Sequence, residues 1–152
     1  MIDSTKLVAF TKHPKLALQS LDQLLDLLDS EDEAELNTAS DLLENCGRPN
    51  IPDIPFLSEQ LKSGRSSRVY WCSTLLGRLG PTVGNQLDRS RMHSNLCHVI
   101  GDESLELSAR ERAAWAMGEL GKVDSDCRAV LKNHFEKAPP RLRRLLETAL
   151  AT

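Results

Sequence analysis

Apolar residues recur along this chain at spacings of three and four rather than in alternation. Between Pro14 and Asp29 they stand at Leu16, Leu18, Leu21, Leu24, Leu25 and Leu28, one face of a helix. Pro14 suits a first helical turn, where its missing N–H costs nothing. Ser30 with Glu33 reads as a capping box opening a second helix, and the acidic run Glu31 to Glu35 favours a helix N-terminus. That helix turns Leu36, Ala39, Leu42, Leu43 and Cys46 inward and stops at Gly47. Prolines 49, 52 and 55 then forbid continuous helix, and the stretch reads as a turn between repeats.

Asp53 is a good N-cap for a short helix bearing Phe56, Leu57 and Leu61, ended by Gly64. Ser66 or Ser67 can cap a helix over Arg68 to Leu79, closed by Gly80-Pro81. From Leu87 to Ile100 the apolar set is Leu87, Met92, Leu96, Val99 and Ile100. Ser108, boxed with Glu111, is expected to cap Ala109 to Leu120. Asp124 to Lys137 carries Val130, Leu131 and Phe135, and after Pro139-Pro140 a last helix spans Arg141 to Ala151. The pattern predicts an all-α chain of about eight helices in four antiparallel pairs, with a helical fragment at Thr5 to Lys12.

The pairs repeat. Gly77, Leu79 and Gly80 match Gly118, Leu120 and Gly121 at an offset of 41 residues, and Cys72-Ser73 match the equally small Ala113-Ala114. In the preceding helices Leu57 matches Leu96 and Leu61 matches Ile100 at an offset of 39. Spacings near 40 are those of helical solenoids. The segment Ile54 to Gly80 resembles a HEAT repeat of bacterial proteins related to phycobilin lyases: aliphatic, two variable, two small, then aliphatic, Gly, variable, Leu, Gly. Residues 107–121 match it as well, whereas the pairs 14–47 and 124–151 fit only in helix length and apolar spacing. The resemblance implies a right-handed α-α superhelix, a HEAT-like solenoid forming one domain over 1–152. Its approximate repeats are 14–47, 52–80, 87–121 and 124–151. Gly77 and Gly118 each cost up to ~1 kcal/mol of helix propensity against Ala, which points to close approach by a neighbouring helix.

Composition adds limits rather than a function. Aromatics are 4% of the chain, too few for an ordinary β core. Residues 1–50 carry four basic and ten acidic side chains, whereas 51–152 carry fifteen and twelve. Two solvated faces explain this, and head-to-tail self-association is the sharper alternative. The net charge of −3 argues against general nucleic-acid binding. No apolar run suits a membrane span, and Met1 to Phe10 lacks a signal peptide's apolar stretch. Cys46, Cys72, Cys97 and Cys127 form no C-x-x-C pair and read as free thiols. Together these lead to an expected cytoplasmic location.

Chemistry is sparse. The histidines are His13, His93, His98 and His134. His93 and Cys97 share a helix face, but two ligands do not make a zinc site. His98 and Asp102 have the same spacing at a helix end, where capping is the simpler role. No nucleophile motif and no phosphate loop is present, so catalytic, cofactor-binding and metal residues are all expected to be none. Trp71 points away from the apolar arc of its helix with Arg78 nearly in line, and Trp115 does the same beside Arg112. The resemblance implies that second helices line the concave face, which would gather Trp71, Arg78, Arg112 and Trp115 in a groove. Trp and Arg dominate binding hot spots. The plain alternative is indoles packed between repeats with arginines stacked on them. Arg141, Arg143 and Arg144 suit a solvated cap or a phosphate contact. The expected function is a non-catalytic scaffold that binds a protein or peptide by burying both indoles, with Arg78 and Arg112 selecting acidic groups. The rivals are an accessory or lyase-like handler of a prosthetic group, a nucleic-acid-binding HEAT-like protein, and a module that dimerises through its ends.

Overall fold

A computed structural model describes residues 20–81 and 85–151. The fragment at Thr5 to Lys12, together with His13, Pro14, Leu16 and Leu18, lies outside them. The described residues form eight α-helices and no strand. The chain divides into two compact units at Asp53/Ile54. The expected repeat 14–47 falls in the first and 87–121 and 124–151 in the second, while 52–80 begins two residues before the division.

In the first unit, α1 (Leu21–Leu27) is opened by Ser20, whose hydroxyl accepts the Gln23 N–H at 3.2 Å while Gln23 Oε1 accepts the Ser20 N–H at 2.9 Å. Ser20 is extended, so α1 begins at Leu21. The cap of α2 (Glu33–Asn45) is Asp32 rather than Ser30, its carboxylate accepting the Ala34 N–H at 2.9 Å. Ser30 instead ties the connection, accepting the Asp32 N–H and donating to Glu35. Either residue type caps well, and a carboxylate beside the helix's partial positive charge has the advantage. Leu21, Leu24, Leu25, Ala39, Leu42, Leu43 and Cys46 are buried, and Leu36 is half-buried. Gly47 ends the helix at φ +80°, a conformation costly for other residues. A 3₁₀ turn over Ile51–Asp53 follows, in which Asp53 accepts the Asn50 N–H at 3.1 Å.

The second unit contains α3 (Ile54–Gln60), α4 (Ser66–Gly77), α5 (Gln86–Gly101), α6 (Leu107–Leu120), α7 (Ser125–Phe135) and α8 (Pro140–Leu150). They form two layers. In one α3 packs on α5 and α5 on α7, and in the other α4 packs on α6 and α6 on α8. Helices within the second layer run parallel: Ser66 Oγ at the start of α4 accepts the Glu106 N–H ahead of α6, and Gly77 near the end of α4 lies against Ala116.

Arginines hold each later hairpin antiparallel at both ends. Arg89 at the start of α5 donates to the Leu120 and Gly121 carbonyls ending α6, and Arg128 of α7 donates to Leu150 O ending α8 at 2.6 Å. From the second helices, Arg110 donates to Ile100 O at 2.9 Å, and Arg143 to the Phe135 and Glu136 carbonyls. A helix's last carbonyls lack intrahelical donors and carry partial negative charge, so a guanidinium both satisfies and neutralises them.

Four local expectations change. Helix α6 starts at Leu107, ahead of Ser108, with no side-chain cap, and its entry is anchored by the Glu106 N–H donating to Ser66 Oγ. Glu111, freed from capping, faces Arg141. Helix α4 likewise starts at Ser66, after Arg65. Leu87 and Val130 are exposed rather than core, while Met92, Leu96, Val99, Ile100 and Leu131 are buried. The small residues Cys72, Ser73, Ala113, Ala114 and Ala116 are fully buried, which lets the second-layer helices approach closely.

Candidate functional site

Helix periodicity puts Ser108, Glu111, Arg112 and Trp115 on one stripe of α6, since residues three and four apart are surface neighbours. Parallel packing brings Tyr70 of α4 to one side of the stripe and Arg141 and Leu145 of α8 to the other. These residues line a cleft of about 250 Å³.

Arg112 organises it. Its guanidinium carbon stands 4.9 Å from the Tyr70 ring centre and 4.7 Å from that of Trp115. Nη2 also donates to Tyr70 Oη at 2.9 Å. Two ring faces and a phenol oxygen therefore hold the cation. No carboxylate pairs with Arg112 among the described residues. Trp71 meets Tyr70 edge-on, with ring centres 5.4 Å apart at 82°. Glu111, only 15% exposed, forms an ion pair with Nε of the largely exposed Arg141 at 3.4 Å, without hydrogen-bond geometry.

Trp115 has two roles. The edge of its indole lies on Gly77: a β-carbon there would fall inside contact distance of Cζ3, 3.0 Å from Cη2 and 3.1 Å from Ala116 Cα. Packing between α4 and α6 thus occupies part of the ring, while the remainder meets Arg112 and lines the cleft. Both tryptophans are half-buried. The structure joins Arg112 and Trp115 directly and links Trp71 through Tyr70. Arg78 does not line the cleft: it occupies the C-cap of α4, roughly 10 Å beyond Trp71 along the helix at 1.5 Å per residue. Tyr70, Ser108, Glu111, Arg141 and Leu145 were absent from the sequence-based set. The stripe on α6 was visible in the spacing, whereas the contributions of α4 and α8 required the helix register.

The cysteines and His93 are buried, whereas His98 is exposed. Burial pushes the Cys72 and Cys97 thiols up to about 12, with nearby Arg68 only partly offsetting the effect on Cys72. Cys127 is also raised, mainly by burial. Thiolate, the nucleophilic form, is scarce in all three at neutral pH. Cys97 Sγ is directed at Cys127 O, 3.9 Å away. His93 is buried, and its pKa is lowered by burial, against the opposing pull of Asp124 and with the repulsion of Arg89. Its Nδ1 stands 3.8 Å from Asp124 Oδ1, beyond a hydrogen bond. Asp102 accepts both the N–H and the hydroxyl of Ser104, which hold its carboxyl below the usual range. Among the described residues no cluster of three or more His, Cys, Asp or Glu could hold a metal ion. No helix among them is long and apolar enough to cross a membrane.

Comparison of the chain with family models, curated proteins and solved structures found no match.

Proposed function

We propose that this chain is a cytoplasmic HEAT-like protein, a right-handed α-α superhelix, which binds a protein or peptide partner through its α4–α6–α8 layer and performs no chemistry of its own. The observation that carries this reading is the half-exposed Tyr70–Arg112–Trp115 stack beside an open cleft. Aromatic and arginine side chains already ordered by their neighbours lose little entropy on binding, which is what makes a hot spot effective. The parallel second helices, layered apart from the first helices, agree with the repeat architecture.

The test is to pan a library of random twelve-residue peptides against the full chain and its Ser108→Trp variant. Ser108 is exposed at the cleft wall, so the indole fills the cleft without touching the core. Peptides held by the native chain and lost on Ser108→Trp support the reading. Absence of binders, or binders indifferent to the substitution, would reject it.

A further inference from the structure

Resting on the peptide-binding reading, we infer that the cleft is a carboxylate subsite: it takes one Asp or Glu side chain of the bound peptide between Arg112 and Arg141. Arg112 spends a single hydrogen bond on protein, Nη2 to Tyr70 Oη. The one polar contact of the Arg141 guanidinium among the described residues is its Nε ion pair with Glu111. Apart from the rings on which Arg112 stacks, neither guanidinium has another hydrogen-bond or ion-pair partner among the described residues, so the N–H groups of Arg112 other than the Tyr70 donor and both terminal nitrogens of Arg141 are available. Guanidinium forks match a carboxylate's two oxygens, and charge-assisted bonds of this kind are the strong ones.

The charge balance selects the ligand. Arg112 and Arg141 against Glu111 leave the cleft one positive charge in excess. A monoanionic side chain neutralises that excess. A phosphate dianion would overshoot it, and the half-buried Glu111 carboxylate repels a dianion about twice as strongly as a monoanion. A cationic ligand is disfavoured because Arg112 already occupies the faces of both rings that would attract one. Leu145, half-buried on the α8 side, and the uncovered part of Trp115 suit apolar residues flanking the acid. Glu111 anchors Arg141 as a positioning residue. That ion pair is kept while the terminal nitrogens engage the ligand, so Glu111 retains its cation.

The experiment uses the peptides recovered by panning, in the full chain at fixed ionic strength. Each acidic residue is replaced by its amide, Glu→Gln or Asp→Asn, and affinity is measured for the native chain, Arg141→Gln and Arg144→Gln. Arg144 is exposed and outside the cleft, so it controls for general charge. Loss of a charge-assisted bond predicts that one amide replacement weakens native binding on the order of ten-fold. Arg141→Gln is expected to erase that preference, and Arg144→Gln to preserve it. Cleft-dependent peptides that bind equally as acids and amides overturn the carboxylate subsite and leave peptide binding intact. A preference that survives Arg141→Gln, or falls equally with Arg144→Gln, also overturns it. A lack of cleft-dependent peptides removes both readings.

Discussion

Gly77 and Gly118 occupy the same register of successive second helices, yet their surroundings differ. At Gly77 a β-carbon would collide with the Trp115 ring and press on the Ala116 backbone. At Gly118 it would meet Thr148 Cγ2 at 3.8 Å and Ala149 at 3.9 Å, ordinary contact distances. One glycine is required by packing, and the other has room for a methyl group. A repeated residue need not repeat its physical purpose, because the residue opposite decides it. Trp115 faces Gly77, while small side chains face Gly118.

The largest expected effect is therefore at Gly77. Gly77→Ala gains helix propensity but overpacks the α4–α6 contact, and overpacking costs about 1–3 kcal/mol. Chemical denaturation should show a net loss, largely recovered when Trp115→Leu is added. A fully stable single variant, or the absence of any coupling in the double-mutant cycle, would mean that the ring is not what makes this glycine necessary.

Next comes the stack above that contact. Arg112→Ala removes a cation from two ring faces and leaves Tyr70 Oη without its donor. The expected loss is about 0.5–2 kcal/mol. The emission of Trp115, read in a Trp71→Phe background, should change with it. An unchanged melting curve and spectrum would make the stack incidental. It would also place the tightness of α4–α6 in Gly77 and the small residues alone.

The helical class and most helix spans were legible because apolar spacing, Gly and Pro are local signals. Helix starts were less so. Ser30 and Asp32 compete within three residues, and the entry to α6 is held by the Glu106 N–H donating to the hydroxyl oxygen of Ser66, forty residues earlier. The arginines that close the hairpins act on backbone carbonyls, which carry no residue-specific mark in a sequence. Leu87 and Val130 were misplaced because apolarity does not require burial: enough surface exists for single exposed hydrophobes. In the candidate site, Arg112 and Trp115 stood out by pointing away from the apolar arc. Tyr70 and Arg141 join them only through the register of three parallel helices.

The other layer offers a contrast in pH. His93 is buried with both ring nitrogens lacking hydrogen bonds among the described residues, near Asp124 and Arg89. Its lowered pKa means that below about 6.5 the unfolded chain takes up a proton that the folded chain refuses. His93 should therefore make stability fall with acid from about pH 6.5 downward, by at most ~1.4 kcal/mol per pH unit. The loss ends once the folded-state pKa is passed. Denaturation midpoints between pH 5 and 8 should flatten in His93→Gln, because glutamine does not titrate. An equal slope in the variant would assign the acid sensitivity to carboxylates instead.

The smallest effect has the opposite sign. Gly118→Ala places its methyl at contact distance from Thr148 and Ala149 and relieves the helix of a glycine, so it is expected to stabilise by up to ~1 kcal/mol. Gly118→Leu should instead destabilise, because its further carbons must enter the space held by α8. Thermal melts of Gly77→Ala and Gly118→Ala side by side give the cleanest separation: one falls and the other rises. If both fall alike, α6 and α8 pack more closely than the distances at Gly118 indicate, and the two glycines share one purpose after all. If both rise, the Trp115 ring yields readily, and the close α4–α6 approach rests on Cys72, Ser73, Ala113 and Ala114.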